Sequence, residues 1–281
     1  MKKMIALLLA AMMVLSMAAC ASKTAETAAP ADTAEPAAAE TAAAADSDLA
    51  YIQDKGTLVI GITDFEPMDY KDADGSWIGF DADMAKAFAE SLGVTAEFVE
   101  IDWDNKILEL DSKTIDCVWN GMTLTAEVTS TMECSNAYCN NAQVVIVPAE
   151  KASEYQTVES VKDLTFAAEA GSAGEAELTA LGYTVTPVKA QSDALMEVAA
   201  GTSNAAVIDS LMAAAMVGEG TGYASLTYTC GLNSEEYGVG FRKGSDLAQK
   251  LNDFFKASYA DGSMMQIAET YGVQAAIIEQ K

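Results

Sequence analysis

One strand-and-helix order is written twice along this chain, and that repetition narrows its fold more than any other feature. The first pass runs TLVIGI (57–62), DADMAKAFAESLG (81–93), TAEFVEI (95–101), a helical stretch near Lys106 to Lys113, and IDCVWNG (115–121). The second runs TFAAEAG (165–171), SAGEAELTALG (172–182), YTVTPVKA (183–190), SDALMEVAAG (192–201) and AAVIDS (205–210). The wording also recurs: ESLGVTAEFVEI stands against TALGYTVTPVKA, and KTIDCVWNG against TSNAAVIDS. Short continuous apolar runs alternating with amphipathic helices predict βαβ units, and hence parallel sheets buried on both faces. Asp81 is expected to cap the first long helix and Gly93 to end it.

Two such passes predict an α/β protein of two Rossmann-like lobes with a cleft between them. The chain has 281 residues, 51% of them hydrophobic, enough for two cores. AQVVIVP (142–148) and GVGFRK (238–243) are apolar strands outside the repeat and are taken as the two linking strands. Lobe 1 is then 49–147 plus about 238–281, and lobe 2 is 148–237. Ligands of open α/β sheets sit beyond the carboxyl ends of the strands. Those ends carry Thr63 and Asp64, Trp103 among Asp102 and Asp104, Asn120 to Thr125, Gly171 to Gly174, and Asp209 with Ser210. Closure of one lobe on the other would bury a small ligand there.

Charge and composition exclude several functions. Sixteen basic residues against 42 acidic ones give a net charge of −26, so nucleic acid is not an expected partner. There is no histidine, which removes the usual general base and the commonest metal ligand. No metal or cofactor is expected. Cys117, Cys134, Cys139 and Cys230 fit no compact zinc spacing; a disulfide among them stays open, with Cys134 and Cys139 the closest in sequence.

The N-terminus has Lys2 and Lys3, an apolar run from Met4 to about Leu15, and then small residues before Cys20. That is an export-signal layout, with a run too short to span a membrane comfortably. Ser16 to Cys20 resembles a bacterial lipoprotein processing site with Met17 in the usual leucine position, which makes 1–19 the signal and Cys20 the lipidated anchor. An ordinary cleaved signal with an incidental cysteine is the alternative. From Cys20 to Asp48 the chain offers no aromatic or large aliphatic residue after the cysteine, and it reads as a tether. The expected location is extracytoplasmic, lipid-anchored to the cell membrane.

From about Tyr51 to Val273 the order of motifs resembles the family 3 extracellular solute-binding proteins, the polar amino-acid receptors of ABC importers. The markers are KGTLVIGIT with EPMDY, DGSWIGFDADMAKAFAESLG, IDW, GMTLT, ECSNAY and AVIDS. The resemblance implies a periplasmic-binding-protein type II-like fold, a membrane permease as partner, and a monomer. It also implies that Met68 or Tyr70 and Trp103 sandwich the ligand. Gly121, Thr123 and Thr125, with Gly171, Ser172 and Ala173 from the other lobe, would hold its carboxylate, and Asp209 its ammonium group. Asp64 and Asn120, at strand ends, complete the expected site.

The sequence departs from that pattern at Val128, where the family places an arginine that clamps the carboxylate. The single arginine, Arg242, lies on the return strand, and Lys106 is the nearest other cation. The expected ligand is therefore a small polar amino acid, or an amino-acid-like amine or amide, neutral or cationic. A dehydratase-like enzyme on the same fold is the alternative, with Glu169 and Asp209 as its only available carboxylates.

Overall fold

The computed structural model describes residues 47–281. The signal, Cys20 and most of the tether lie outside the described residues. Helix α1 (Asp48–Lys55), capped by the Ser47 side chain, precedes β1 (Thr57–Ile62), the short hairpin β2 (Tyr70–Lys71) and β3 (Trp77–Ile78), α2 (Phe80–Ser91) and β4 (Thr95–Glu100). Then come α3 (Lys106–Asp111), β5 (Cys117–Thr123), α4 (Ala126–Thr131), β6 (Glu133–Cys134) and β7 (Cys139–Asn141). A second run holds β8 (Gln143–Pro148), β9 (Thr165–Glu169), α5 (Ala173–Ala180), β10 (Thr184–Val188), α6 (Gln191–Ala200), β11 (Ala205–Asp209), α7 (Ser210–Met216) and β12 (Leu226–Gly231). The chain returns through β13 (Glu235–Phe241) and closes with α8 (Leu247–Asp261) and α9 (Ser263–Thr270).

The two passes form two sheets. The first has order β4-β1-β5-β13-β6, with β7 also on β13; the second has order β10-β9-β11-β8-β12. β1 runs parallel to β4 and β5, and β9 runs parallel to β10 and β11, which is the geometry that βαβ units impose. One buried cluster runs from lobe 1 into Ile146 and Ile208 of lobe 2, and another lies wholly in lobe 2. Ile60, Ile62, Phe88, Trp119 and Phe255 are buried in lobe 1, and Val145, Val147, Phe166, Leu178 and Val207 form a separate cluster in lobe 2.

The lobe boundaries move from those expected. β8 pairs antiparallel with β11 and β12, so 143–148 belongs to lobe 2, and β13 already pairs with β5 from Tyr237 and with β7 from Glu235. The crossings are thus the short links at Ala142 and at 232–234, and the apolar strands are sheet members on either side of them. The reason is burial: β8 is buried at five successive positions, which only an interior strand of a sheet provides. Asp48 likewise belongs to lobe 1 and not to the tether, because it pairs with Arg242 at 2.9 Å.

Asp81 does not cap α2. The N-cap is Gly79, at φ 125°, where an added Cβ would collide with the Met68 carbonyl. Asp81 sits inside the first turn, fully buried, and accepts from the Gly121 N–H and the Tyr138 hydroxyl, each at 2.7 Å. Among the described residues the four cysteines are free thiols, and no helix is long and apolar enough to cross a membrane.

Candidate functional site

The carboxyl ends of β5, β9 and β11 meet around an interlobe cavity of about 270 Å³. Lobe 1 contributes Trp103, Lys106, Asn120 to Thr123, Thr125, Glu127 and Val128, and lobe 2 contributes Gln143, Glu169, Gly171 to Ala173, Gln191 and Asp209. The volume lies near the small end of ligand pockets, roughly 300 to 1,000 Å³.

Nine of the twelve residues proposed from sequence line this cavity: Trp103, Asn120, Gly121, Thr123, Thr125, Gly171, Ser172, Ala173 and Asp209. Asp64, Met68 and Tyr70 do not. Met68 is fully buried in the lobe 1 core, because its carbonyl terminates α2 by accepting the Asp81 and Ala82 N–H groups. Tyr70 lies in the β2–β3 hairpin, edge-on to Tyr271 with ring centres 6.4 Å apart. Asp64 is exposed. Trp103 is therefore the one aromatic residue on the wall, and the expected sandwich has one side.

Several donors that a carboxylate would use are already engaged. The Gly121 N–H goes to Asp81, the Gly171 N–H goes to the Glu175 carboxylate at 2.7 Å, and the Thr123 hydroxyl goes to Glu235 at 2.9 Å. The Thr125 hydroxyl accepts from Val128 N as the cap of α4, and the Ser172 hydroxyl accepts from Glu175 N as the cap of α5.

Asp209 stands at the N-cap position of α7, yet its side chain makes no capping bond. It accepts instead from the amides of Asn141, Gln143 and Gln191. Asn141 and Gln143 donate also to Glu235, so two carboxylates from different lobes share amide donors beside the crossing at Ala142. Burial, and then the nearby Glu235, push the Asp209 carboxyl up to about 7.

Glu169 is 2% exposed and its Oε1 has no hydrogen-bond partner among the described residues. Burial, followed by the Asp209 charge, raises it to about 8. Sequence reasoning named Glu169 only as a carboxylate for the enzyme alternative, although it is the last residue of β9 and the strand-end rule selects it. Gln143 was missed for a different reason. It begins an antiparallel strand, so its amino end, not its carboxyl end, reaches the cleft.

Lys106, the nearest other cation in the sequence, does reach the cleft. It is 8% exposed, and its Nζ donates to the carbonyls of Trp103 at 3.2 Å and of Gly171, in the opposite lobe, at 2.9 Å. Desolvation lowers its pKa. Arg242 lies away from the cavity, buried against Asp48, Asp116 and the carbonyl of Ile115.

A profile of the bacterial extracellular solute-binding proteins, family 3, matches residues 58–274. The chain belongs to this family. It is 27% identical to the arginine-binding extracellular protein ArtP of Bacillus subtilis, over 77% of this chain and 86% of that protein. It is 30% identical to the L-arginine-binding protein of Pseudomonas aeruginosa, over 74% of this chain and 84% of the relative. Its fold matches an ABC uptake transporter substrate-binding protein from Streptococcus pneumoniae with bound histidine, with TM-score 0.75, 30% identity, 80-odd per cent coverage of this chain (83%) and 99% of that one. The two-lobed α/β fold is thus that of the type II periplasmic binding proteins.

Proposed function

We propose that this chain is the extracellular, lipid-anchored receptor of an ABC importer, which closes over a small polar amino acid or an amino-acid-like amine or amide. The observation that carries the reading is the interlobe cavity, walled from both lobes by hydrogen-bonding side chains around Asp209 and Glu169. Membership of a solute-binding family supports the transport role. Cys20 supplies the anchor, and a membrane permease is the partner.

The ligand is neutral or cationic. Val128 offers nothing to an anion, and Glu127, Glu169 and Asp209 outnumber Lys106 on the wall. A second carboxylate on the ligand would be buried without a partner, which costs several kcal/mol. The receptor reading also predicts that the bound molecule leaves chemically unchanged.

A thermal-shift screen of the purified chain against the L-amino acids, their carboxamides and the corresponding amines tests this, with mass spectrometry of the recovered ligand. Stabilisation by one compound, recovered intact, is the expected result. Conversion of the compound would favour a dehydratase-like enzyme, and failure of every compound would defeat the reading.

A further inference from the structure

We propose that the ligand of this cleft is an organic cation without a carboxylate, an amine or guanidine whose positive group lies between Glu169 and Asp209. The proposal rests on the receptor reading and narrows its ligand class.

A pocket for a free amino acid must present hydrogen-bond donors, and preferably a cation, to the carboxylate. Here three of the donors placed for that task are held by the protein's own carboxylates: Gly121 N–H by Asp81, Gly171 N–H by Glu175, and the Thr123 hydroxyl by Glu235. The hydroxyls of Thr125 and Ser172 and the amide of Ala173 remain, all of them neutral. Lys106 directs its ammonium at two backbone carbonyls. Val128 is 4% exposed and packs with Ile101, Trp103 and Met132.

The acceptors are less fully engaged: Asp209 already accepts from three side-chain amides, but Glu169 retains a free oxygen. Glu169, on the cavity wall, is buried with Oε1 unpartnered, and Asp209 lies on the same wall. A buried acceptor left unpaired costs about 1 to 3 kcal/mol, more if it is charged. An ammonium or guanidinium group supplies the donor that Glu169 lacks, and its charge offsets the burial of both carboxyls. Glu169 is raised to about 8, so near neutral pH the empty cleft holds its proton, and a bound cation displaces it. A carboxylate on the same ligand would meet Glu127 and Glu169 with no unengaged cation to balance them.

The test is isothermal titration calorimetry of the chain with two matched pairs, L-arginine with agmatine and L-lysine with cadaverine, and with L-glutamine as a neutral comparator. At least one amine is expected to bind about tenfold or more tighter than its parent amino acid, a difference of about 1.4 kcal/mol. Glu169→Gln is expected to weaken that amine by a further factor of about ten. Repeating the titration in buffers of different ionisation enthalpy should show about one to one and a half protons released per amine bound at neutral pH, most of one from Glu169 and the rest from Asp209, a readout that does not depend on any variant folding.

An amino acid that binds as tightly as its amine overturns the assignment and leaves the receptor reading intact. The same holds if glutamine wins, or if Lys106→Met abolishes amino-acid binding and so identifies Lys106 as the carboxylate's partner. Tight amine binding with no proton release and no response to Glu169→Gln removes Glu169 from the site. If no amine and no amino acid binds, the proposal and the receptor reading fail together.

Discussion

Glu169→Gln should change how the stability of the ligand-free chain depends on pH. Glu169 is buried, faces Asp209, Asp193 and Lys106, and is raised from an ordinary 4.5 to about 8. The sign is the reverse of that for a salt-bridged carboxylate. Above pH 4.5 the unfolded chain releases this proton while the folded chain keeps it, so stability present at low pH is lost as pH climbs through about 8. Each pH unit inside that window removes about 1.4 kcal/mol, or about 3 to 4 kcal/mol in total between pH 5 and pH 8. Glutamine has the same shape and no proton to lose, so its variant escapes that term. At about 2 to 4 °C per kcal/mol for a chain of this size, the melting temperature of the variant minus that of the wild type should grow by about 10 °C from pH 5 to pH 8. Asp81 and Asp209 titrate in both proteins and largely cancel in the difference. Differential scanning calorimetry without ligand measures it. Two parallel curves would refute the reasoning, because they would mean that Glu169 is already ionised in the folded chain.

Three further outcomes follow from single contacts. Arg242→Met leaves Asp48 without its buried partner while Asp116 keeps Lys55 at 2.6 Å, and should lower the unfolding free energy in urea by about 3 kcal/mol while ligand affinity stays unchanged, since Arg242 is remote from the cavity. Val128→Arg places a guanidinium on the wall, and calorimetry should show preference moving about tenfold or more from an amine toward its parent amino acid. Gly171→Ala puts a Cβ 2.8 Å from the Asp104 Cα of the opposite lobe, at a position with φ 71°, so it should weaken ligand binding by impeding closure. Small-angle scattering with saturating ligand should then show a more open chain than the wild type.

The sequence carried the fold because its information is local and repeated. Alternating runs named the parallel strands of the two sheets and the helices between them, and their duplication named two lobes, while β6, β7 and β12 were not foreseen. Boundaries between lobes were harder, since AQVVIVP is apolar enough to be interior in either sheet and only its pairing with β11 and β12 decides. The site was legible where the strand-end rule applies to parallel strands: Asn120, Thr123 and Asp209 all reach the cavity. It failed where position depends on packing between distant segments. Met68 or Tyr70 was expected to face the ligand, but the α2 N-terminus needs the Met68 carbonyl and fixes that residue in the core, and Tyr70 packs on Tyr271. Lys106 was the nearest other cation in the sequence, and only contact with Gly171, sixty-five residues away, fixes it in the cleft.

The same contacts suggest how ligand charge and lobe closure are joined. Asp209 and Glu235 come from different lobes and share the amides of Asn141 and Gln143, beside the link where the chain crosses between them. Two carboxylates held by common donors repel unless one keeps a proton, and Glu235 is the largest charge acting on Asp209 after burial itself. A cation beside Asp209 would lower that repulsion while it fills the cavity. Its binding energy would then favour the arrangement in which both lobes contribute to one hydrogen-bonded wall, since a ligand shifts a conformational equilibrium only by the difference in its interaction with the two states. A neutral ligand fills the same volume without relieving the pair. Closure in this chain should accordingly respond to the charge of the ligand more than to its size.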